Sequence, residues 1–128
     1  QWNKIEAEWF MASYNCSKSE NPRLGFDMSQ IKDGSYLYYP KIRNIPKNAL
    51  IHFYASPVVE MTIEIRSHSV DGPLLGTCLL EPGFLAWKGY RSFSTRLNNS
   101  GGEEDIYLVF RGEGDSLGNL DWFSFAKE

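Results

Sequence analysis

The sequence predicts an all-β fold, an antiparallel β-sandwich of the jelly-roll kind, occupying residues 1–128 as one unit. Three observations predict it. Apolar residues recur with period two along most of the chain, turn residues interrupt that pattern at short intervals, and no segment of useful length repeats at 3.6 residues. Many short strands separated by such turns close into two packed sheets.

The clearest strand is Met61-Thr62-Ile63-Glu64-Ile65-Arg66, whose residues 61, 63 and 65 face a core while 62, 64 and 66 face out. Asp105 to Arg111 repeats the pattern, with Ile106, Leu108 and Phe110 on one face. Further strands are expected at Lys4–Phe10, Ser35–Ile42, Ala49–Ala55, Leu74–Leu80, Arg91–Leu97 and Asn119–Ala126. Turns are marked by Lys32-Asp33-Gly34, Ile45-Pro46-Lys47-Asn48, Asp71-Gly72-Pro73, Glu81-Pro82-Gly83 and Asn98 to Gly102. Met11 to Met28 lacks a pattern and reads as a long polar loop, a kind of segment that in compact domains is usually functional or mobile.

Composition narrows the function. With 13 basic and 16 acidic side chains the formal charge is -3, so nothing drives the chain toward nucleic acid by counterion release. No apolar run reaches the roughly 20 residues that span a bilayer, and no basic run suits an anionic membrane surface. Cys16 and Cys78 lack metal-ligand spacing; they admit either a disulfide or two packed thiols. Gly112-Glu113-Gly114 is not a phosphate cradle, because no helix pattern follows and its acids repel phosphate.

Several residues admit a functional and a plain reading. In Lys4-Ile5-Glu6-Ala7-Glu8-Trp9-Phe10 a strand would place Glu6 and Glu8 on one side, about 7 Å apart at the backbone. They are then either solvated acids or two ligands of a hard cation such as calcium. Asp121 sits among Leu120, Trp122 and Phe123, where a carboxylate needs a cation, a lysine or backbone donors. Trp87 lies in a Pro-Gly loop; its indole either folds over the rim or offers a flat face to a sugar ring. Asn119 follows a glycine loop, as a turn residue or a reader of sugar hydroxyls.

Taken in order, Ile5-Glu6-Ala7-Glu8, Ile31-Lys32-Asp33-Gly34-Ser35-Tyr36-Leu37-Tyr38-Tyr39, Ile63-Glu64-Ile65-Arg66 with Asp71-Gly72-Pro73-Leu74-Leu75-Gly76-Thr77, and Asp105 to Phe110 with Gly118-Asn119-Leu120-Asp121-Trp122-Phe123 resemble the successive motifs of family 6 carbohydrate-binding modules. The resemblance spans nearly the whole chain. It implies a non-catalytic jelly-roll that targets a glycoside hydrolase to polysaccharide, commonly xylan or β-glucan. It also implies a secreted or cell-surface location, and the block of motifs is read as a monomeric accessory of a parent catalytic domain. A structural calcium is implied at Glu6, Glu8 and Asp121, with a carbonyl between Arg23 and Phe26. The implied sugar site has Trp87 as one aromatic wall and Asn119 as the polar anchor. Its second wall is usually aromatic, and this chain has Gln30 there, with Phe26, Tyr14 or Phe84 as substitute rings. A second site on the concave sheet face is implied at Tyr36, with Tyr38 on the same side; the acidic partner usual there has no clear match.

Two rivals compete. A small glycosidase would need paired carboxylates about 5–10 Å apart, one with a raised pKa, and a shared calcium would leave neither Glu6 nor Glu8 free for that work. His52 and His68 come with no nucleophile motif. A protein-interaction sandwich without sugar affinity is the other rival, since this architecture hosts many functions.

Overall fold

The computed structural model describes residues 5–21, 25–82 and 90–127. The described strands are β1 (Ile5–Glu6), β2 (Ala12–Tyr14), β3 (Ser17–Asn21), β4 (Gly25–Ser29), β5 (Tyr36–Ile45), β6 (Leu50–Pro57), β7 (Met61–Ser67), β8 (Leu74–Leu80), β9 (Arg91–Arg96), β10 (Gly102–Gly112) and β11 (Gly118–Ala126). They form two antiparallel sheets. One runs β3-β4-β11-β6-β9, with β1 also on β11; the other runs β2-β5-β10-β7-β8.

Alternation builds the core. β7 reads buried and half-buried by turns, and β6 does the same through Ile51, Phe53 and Ala55. Phe53, Phe110 and Phe123 are fully buried between the sheets with Ile63, Ile65 and Leu37. Each such side chain contributes about 1.5–3 kcal/mol on leaving water. Tyr39 lies edge-on to Phe123 at 4.9 Å and donates its hydroxyl to the Ala7 carbonyl at 2.6 Å.

Seven of the predicted strands form with bounds within three residues of expectation. The first does not. Lys4–Phe10 breaks after Glu6 into a 3-10 turn, Ala7–Trp9, so Glu6 and Glu8 do not share one face of one strand. The reason lies in Ala7. Its methyl is fully buried and its carbonyl is occupied by Tyr39, so that carbonyl does not serve a ladder.

Met11 to Met28 also departs from expectation, because it holds β2, β3 and β4 rather than a loop. β2 and β3 are the edge strands of opposite sheets, and the residues of β2 are all exposed. An edge strand with little to bury needs no apolar alternation, and this segment has none. The chain changes sheets at Asn15, which has φ 59, and buried Ser35 secures the crossing by donating to the Asn15 carbonyl at 2.6 Å.

One irregularity shapes the last strand. β11 pairs with β6 as Leu120↔Ala55 and then Trp122↔Tyr54, leaving Asp121 as the extra residue of a β-bulge. The bulge lets Leu120 and Phe123, an odd number of residues apart, both point into the core. Asp121 is 3% exposed there.

Candidate functional site

The start of β11 is constrained on both sides. Gly118 has φ 150, and a Cβ added to it would lie 2.5 Å from the Ser56 carbonyl oxygen. Only glycine lets β11 approach β6 this closely, and the next residue, Asn119, is thereby set at the loop end of the sheet.

Asn119 is half-buried and donates its amide Nδ2 to Asp27 Oδ2 at 3.3 Å. Asp27 itself is 1% exposed. It accepts a second bond on Oδ2 from the Tyr90 hydroxyl and one on Oδ1 from Ser19 Oγ at 2.6 Å. β3, β4, β11 and the residue that precedes β9 therefore converge on one carboxylate. Burial pushes the Tyr90 hydroxyl well above its ordinary pKa, followed by the bond to Asp27 and its charge; the Asn119 amide opposes this and the Asp121 charge adds to it. Tyr90 thus remains a donor throughout the neutral range.

Tyr90 also begins an aromatic row. It stacks on Tyr54 at 5.4 Å, and Tyr54 stacks on its cross-strand partner Trp122 at 5.4 Å. Asp27, Tyr90, Tyr54 and Trp122 are not among the residues singled out from sequence. Asp27 falls in a segment read as loop, and two of its three hydrogen-bond donors, Tyr90 and Asn119, come from distant parts of the chain. An aromatic at the exit of the Trp87 loop was the available signal for Tyr90.

The sequence-derived residues fall as follows. Trp87 and Phe84 lie outside the described residues. Gln30 is exposed with φ 55, and its Oε1 accepts from Ser17 Oγ at 2.9 Å. β4 pairs with β11 at Met28↔Leu120, and that antiparallel register continued by two residues sets Gln30 beside Gly118, so Gln30 and Asn119 share one end of the sandwich. Phe26 is 41% exposed, with the Lys18 ammonium 4.9 Å from its ring centroid. Tyr14 belongs to the other sheet, where it stacks on Tyr36 at 5.6 Å.

That other sheet carries a continuous outer band of tyrosines. Tyr36 lies 6.1 Å from Tyr107, which stacks on Tyr38 at 4.4 Å. Beside them Glu64 holds Arg66 at 3.1 Å and Arg111 at 3.5 Å. Tyr36 and Tyr38 do share a face, as alternation requires.

At the termini, β1 lies on β11 with Glu6 opposite Trp122, one residue from Asp121, and Glu8 follows in the turn packed against β4 and β11. Among the described residues no three His, Cys, Asp or Glu side chains are gathered closely enough to hold an ion by themselves. The donor types nevertheless suit calcium: hard carboxylate oxygens, one of them on the nearly buried Asp121. Cys16 and Cys78 are both free thiols. His52 sits on the outer face with Nδ1 2.5 Å from Ser94 Oγ, and His68 is exposed.

The sequence profile described as carbohydrate binding module (family 6) matches residues 6–127. The chain is 39% identical over 125 residues to an endo-1,4-beta-xylanase A of Thermoclostridium stercorarium, covering 96% of this chain and 23% of that protein. It spans between 10% and 23% of the length of the curated relatives it matches. Among solved structures, a family 6 module of Clostridium stercorarium in complex with cellobiose superposes with TM-score 0.87 at 30% identity, covering 98% of this chain and 94% of that one. A family 6 module of Clostridium cellulolyticum in complex with xylose gives TM-score 0.89 at 28% identity, covering 98% and 97%.

Proposed function

The chain belongs to family 6 of the carbohydrate-binding modules and serves non-catalytic sugar binding, and we propose that it does so at the loop end of the sandwich, with Asn119 as polar anchor, Trp87 as stacking wall and Gln30 as a second hydrogen-bonding group. The observation that carries this reading is the placement of Asn119. Its amide stands at the sheet end, oriented by a buried carboxylate, with polar capacity left for a ligand. Chain connectivity supports Trp87: it lies three positions before Tyr90, and the backbone spans at most about 3.3–3.6 Å per residue. An indole stacked on a sugar contributes on the order of 1–2 kcal/mol, as other aromatic contacts do. One shallow site of this kind binds in the micromolar-to-millimolar range.

The ligand class follows the relatives, one a xylanase, with solved neighbours carrying cellobiose and xylose, so β-linked plant polysaccharides such as xylan and β-glucan come first. The same relatives support attachment to the catalytic domain of a secreted glycoside hydrolase and no catalysis by this chain itself. The tyrosine band around Tyr36 and Tyr38 supports a second platform on the sheet face, since stacked phenols offer edges and hydroxyls to a sugar chain. Calcium at Glu6, Glu8 and Asp121 would tie both chain ends to the segment before Phe26. Its support is the β1–β11 pairing and the low exposure of Asp121; Glu6 or Glu8 would turn toward that carboxylate.

Titration calorimetry with xylan and β-glucan oligosaccharides tests the reading. Trp87→Ala and Asn119→Ala should each weaken binding at least about tenfold, Trp87→Ala with a melting temperature that moves by less than about 2 °C and Asn119→Ala with a drop of several degrees, because Asp27 loses a donor. Retained affinity in both variants would remove the loop-end site.

A further inference from the structure

Resting on the loop-end reading of Asn119, we propose that Asp27 is the positioning residue of the sugar site: it allows Asn119 one amide orientation and so dictates which ligand groups are read. A side-chain amide carries an oxygen acceptor at one end and two N–H donors at the other, and nothing intrinsic to asparagine prefers either placement. Ionised Asp27 only accepts. Turning the amide over would set Asn119 Oδ1 against Asp27 Oδ2, two acceptors at 3.3 Å in a site 1% exposed, so Nδ2 stays inward.

The carboxylate is fixed in turn. Ser19 Oγ holds Oδ1 at 2.6 Å, and the Tyr90 hydroxyl, itself stacked on Tyr54, holds Oδ2. With Nδ2 facing Asp27, Asn119 offers Oδ1 to the ligand as an acceptor. The group it reads is therefore a hydroxyl that donates its proton. A sugar whose hydroxyl facing Oδ1 is esterified or etherified has no proton to give there and binds more weakly.

A double-mutant cycle with xylohexaose and cellohexaose as probes tests this, with melting temperatures recorded for every variant. Asp27→Leu, which removes both acceptor oxygens, should weaken binding at least about fivefold in the parent chain and by less than about twofold in an Asn119→Ala background. Asp27→Asn should stay within about twofold of the parent, because its oxygen can face Tyr90 and Asn119 while its amide donates to Ser19. Equal losses from Asp27→Leu in both backgrounds would overturn the proposal. If Asn119→Ala binds both probes as the parent does, the sugar-site reading fails instead, and the positioning role with it.

A measurement on the unaltered protein covers the case in which Asp27→Leu does not fold. The Asn119 side-chain amide protons, assigned by their absence in Asn119→Ala, should include one that exchanges slowly in nitrogen-15 NMR spectra. Exchange as fast as that of exposed Asn98 would overturn the proposal.

Discussion

The Tyr39 hydroxyl donates to the Ala7 carbonyl at 2.6 Å across 32 residues, joining the N-terminal turn to the middle of the sandwich. Tyr39 is 3% exposed and burial raises its pKa well above the ordinary value, so the bond is made by a neutral phenol. Tyr39→Phe leaves a buried carbonyl without its donor. The expected cost is about 1–2 kcal/mol, seen as a melting temperature lower by roughly 3–8 °C. An unchanged midpoint in thermal unfolding would mean that water replaces the hydroxyl there.

Gly118 sets the spacing between β11 and β6. Gly118→Ala puts a methyl 2.5 Å from the Ser56 carbonyl oxygen and 2.7 Å from the Pro57 Cα, and neither backbone atom can turn aside as a side chain does. We expect a loss of more than about 2 kcal/mol, read from the denaturant midpoint, and a parallel loss of sugar affinity because Asn119 shifts with it. A variant as stable as the parent would show that β11 can slide.

Alkaline pH should destabilise the protein through its two thiols, Cys78 buried and Cys16 half-buried. Burial raises Cys78 from 9.0 to about 11, and Cys16 likewise to about 11. The folded state therefore holds these protons more tightly than the unfolded chain. The corresponding stability is fully present below about pH 9 and disappears as pH climbs through 11. Cys78, 2% exposed, accounts for about 2 kcal/mol of that decline. Denaturant titrations between pH 8 and 11 should slope downward, and Cys78→Ala should flatten the slope even though its cavity lowers the starting value.

Chelation tests the metal reading. If calcium joins Glu6, Glu8 and Asp121, a hundredfold excess over its dissociation constant stabilises by about 2.7 kcal/mol. Adding a chelator should then lower the melting temperature by several degrees, and Asp121→Asn should abolish the response to calcium. A midpoint indifferent to chelator would reduce the three to unliganded acids.

The convergence on Asp27 is not encoded in any single segment. Period-two alternation is local, so β5 to β11 were legible from single segments: each must bury one face, and the spacing of Ile63 with Ile65 or Leu108 with Phe110 says which. The edge strands β2 and β3 carry no such imprint, while β4, interior to its sheet, buries the polar Asp27 next to Met28 and so breaks the alternation; all three read as loop. The family resemblance, carried by short motifs, reached Asn119 and Gln30 at one end and Tyr36 on the opposite sheet.

By itself, the sequence determined the fold class, the strands of the core and the residues that distinguish the family, because burial pattern and turn chemistry act between near neighbours. Only the tertiary structure decided that Asp121 occupies a bulge, that Glu8 leaves the strand, and that Ser19, Tyr90 and Asn119 meet on one covered carboxylate. Whether a carboxylate is solvated or enclosed depends on which strands become neighbours. Here that neighbourhood joins residues up to 92 positions apart, a distance at which alternation carries no information.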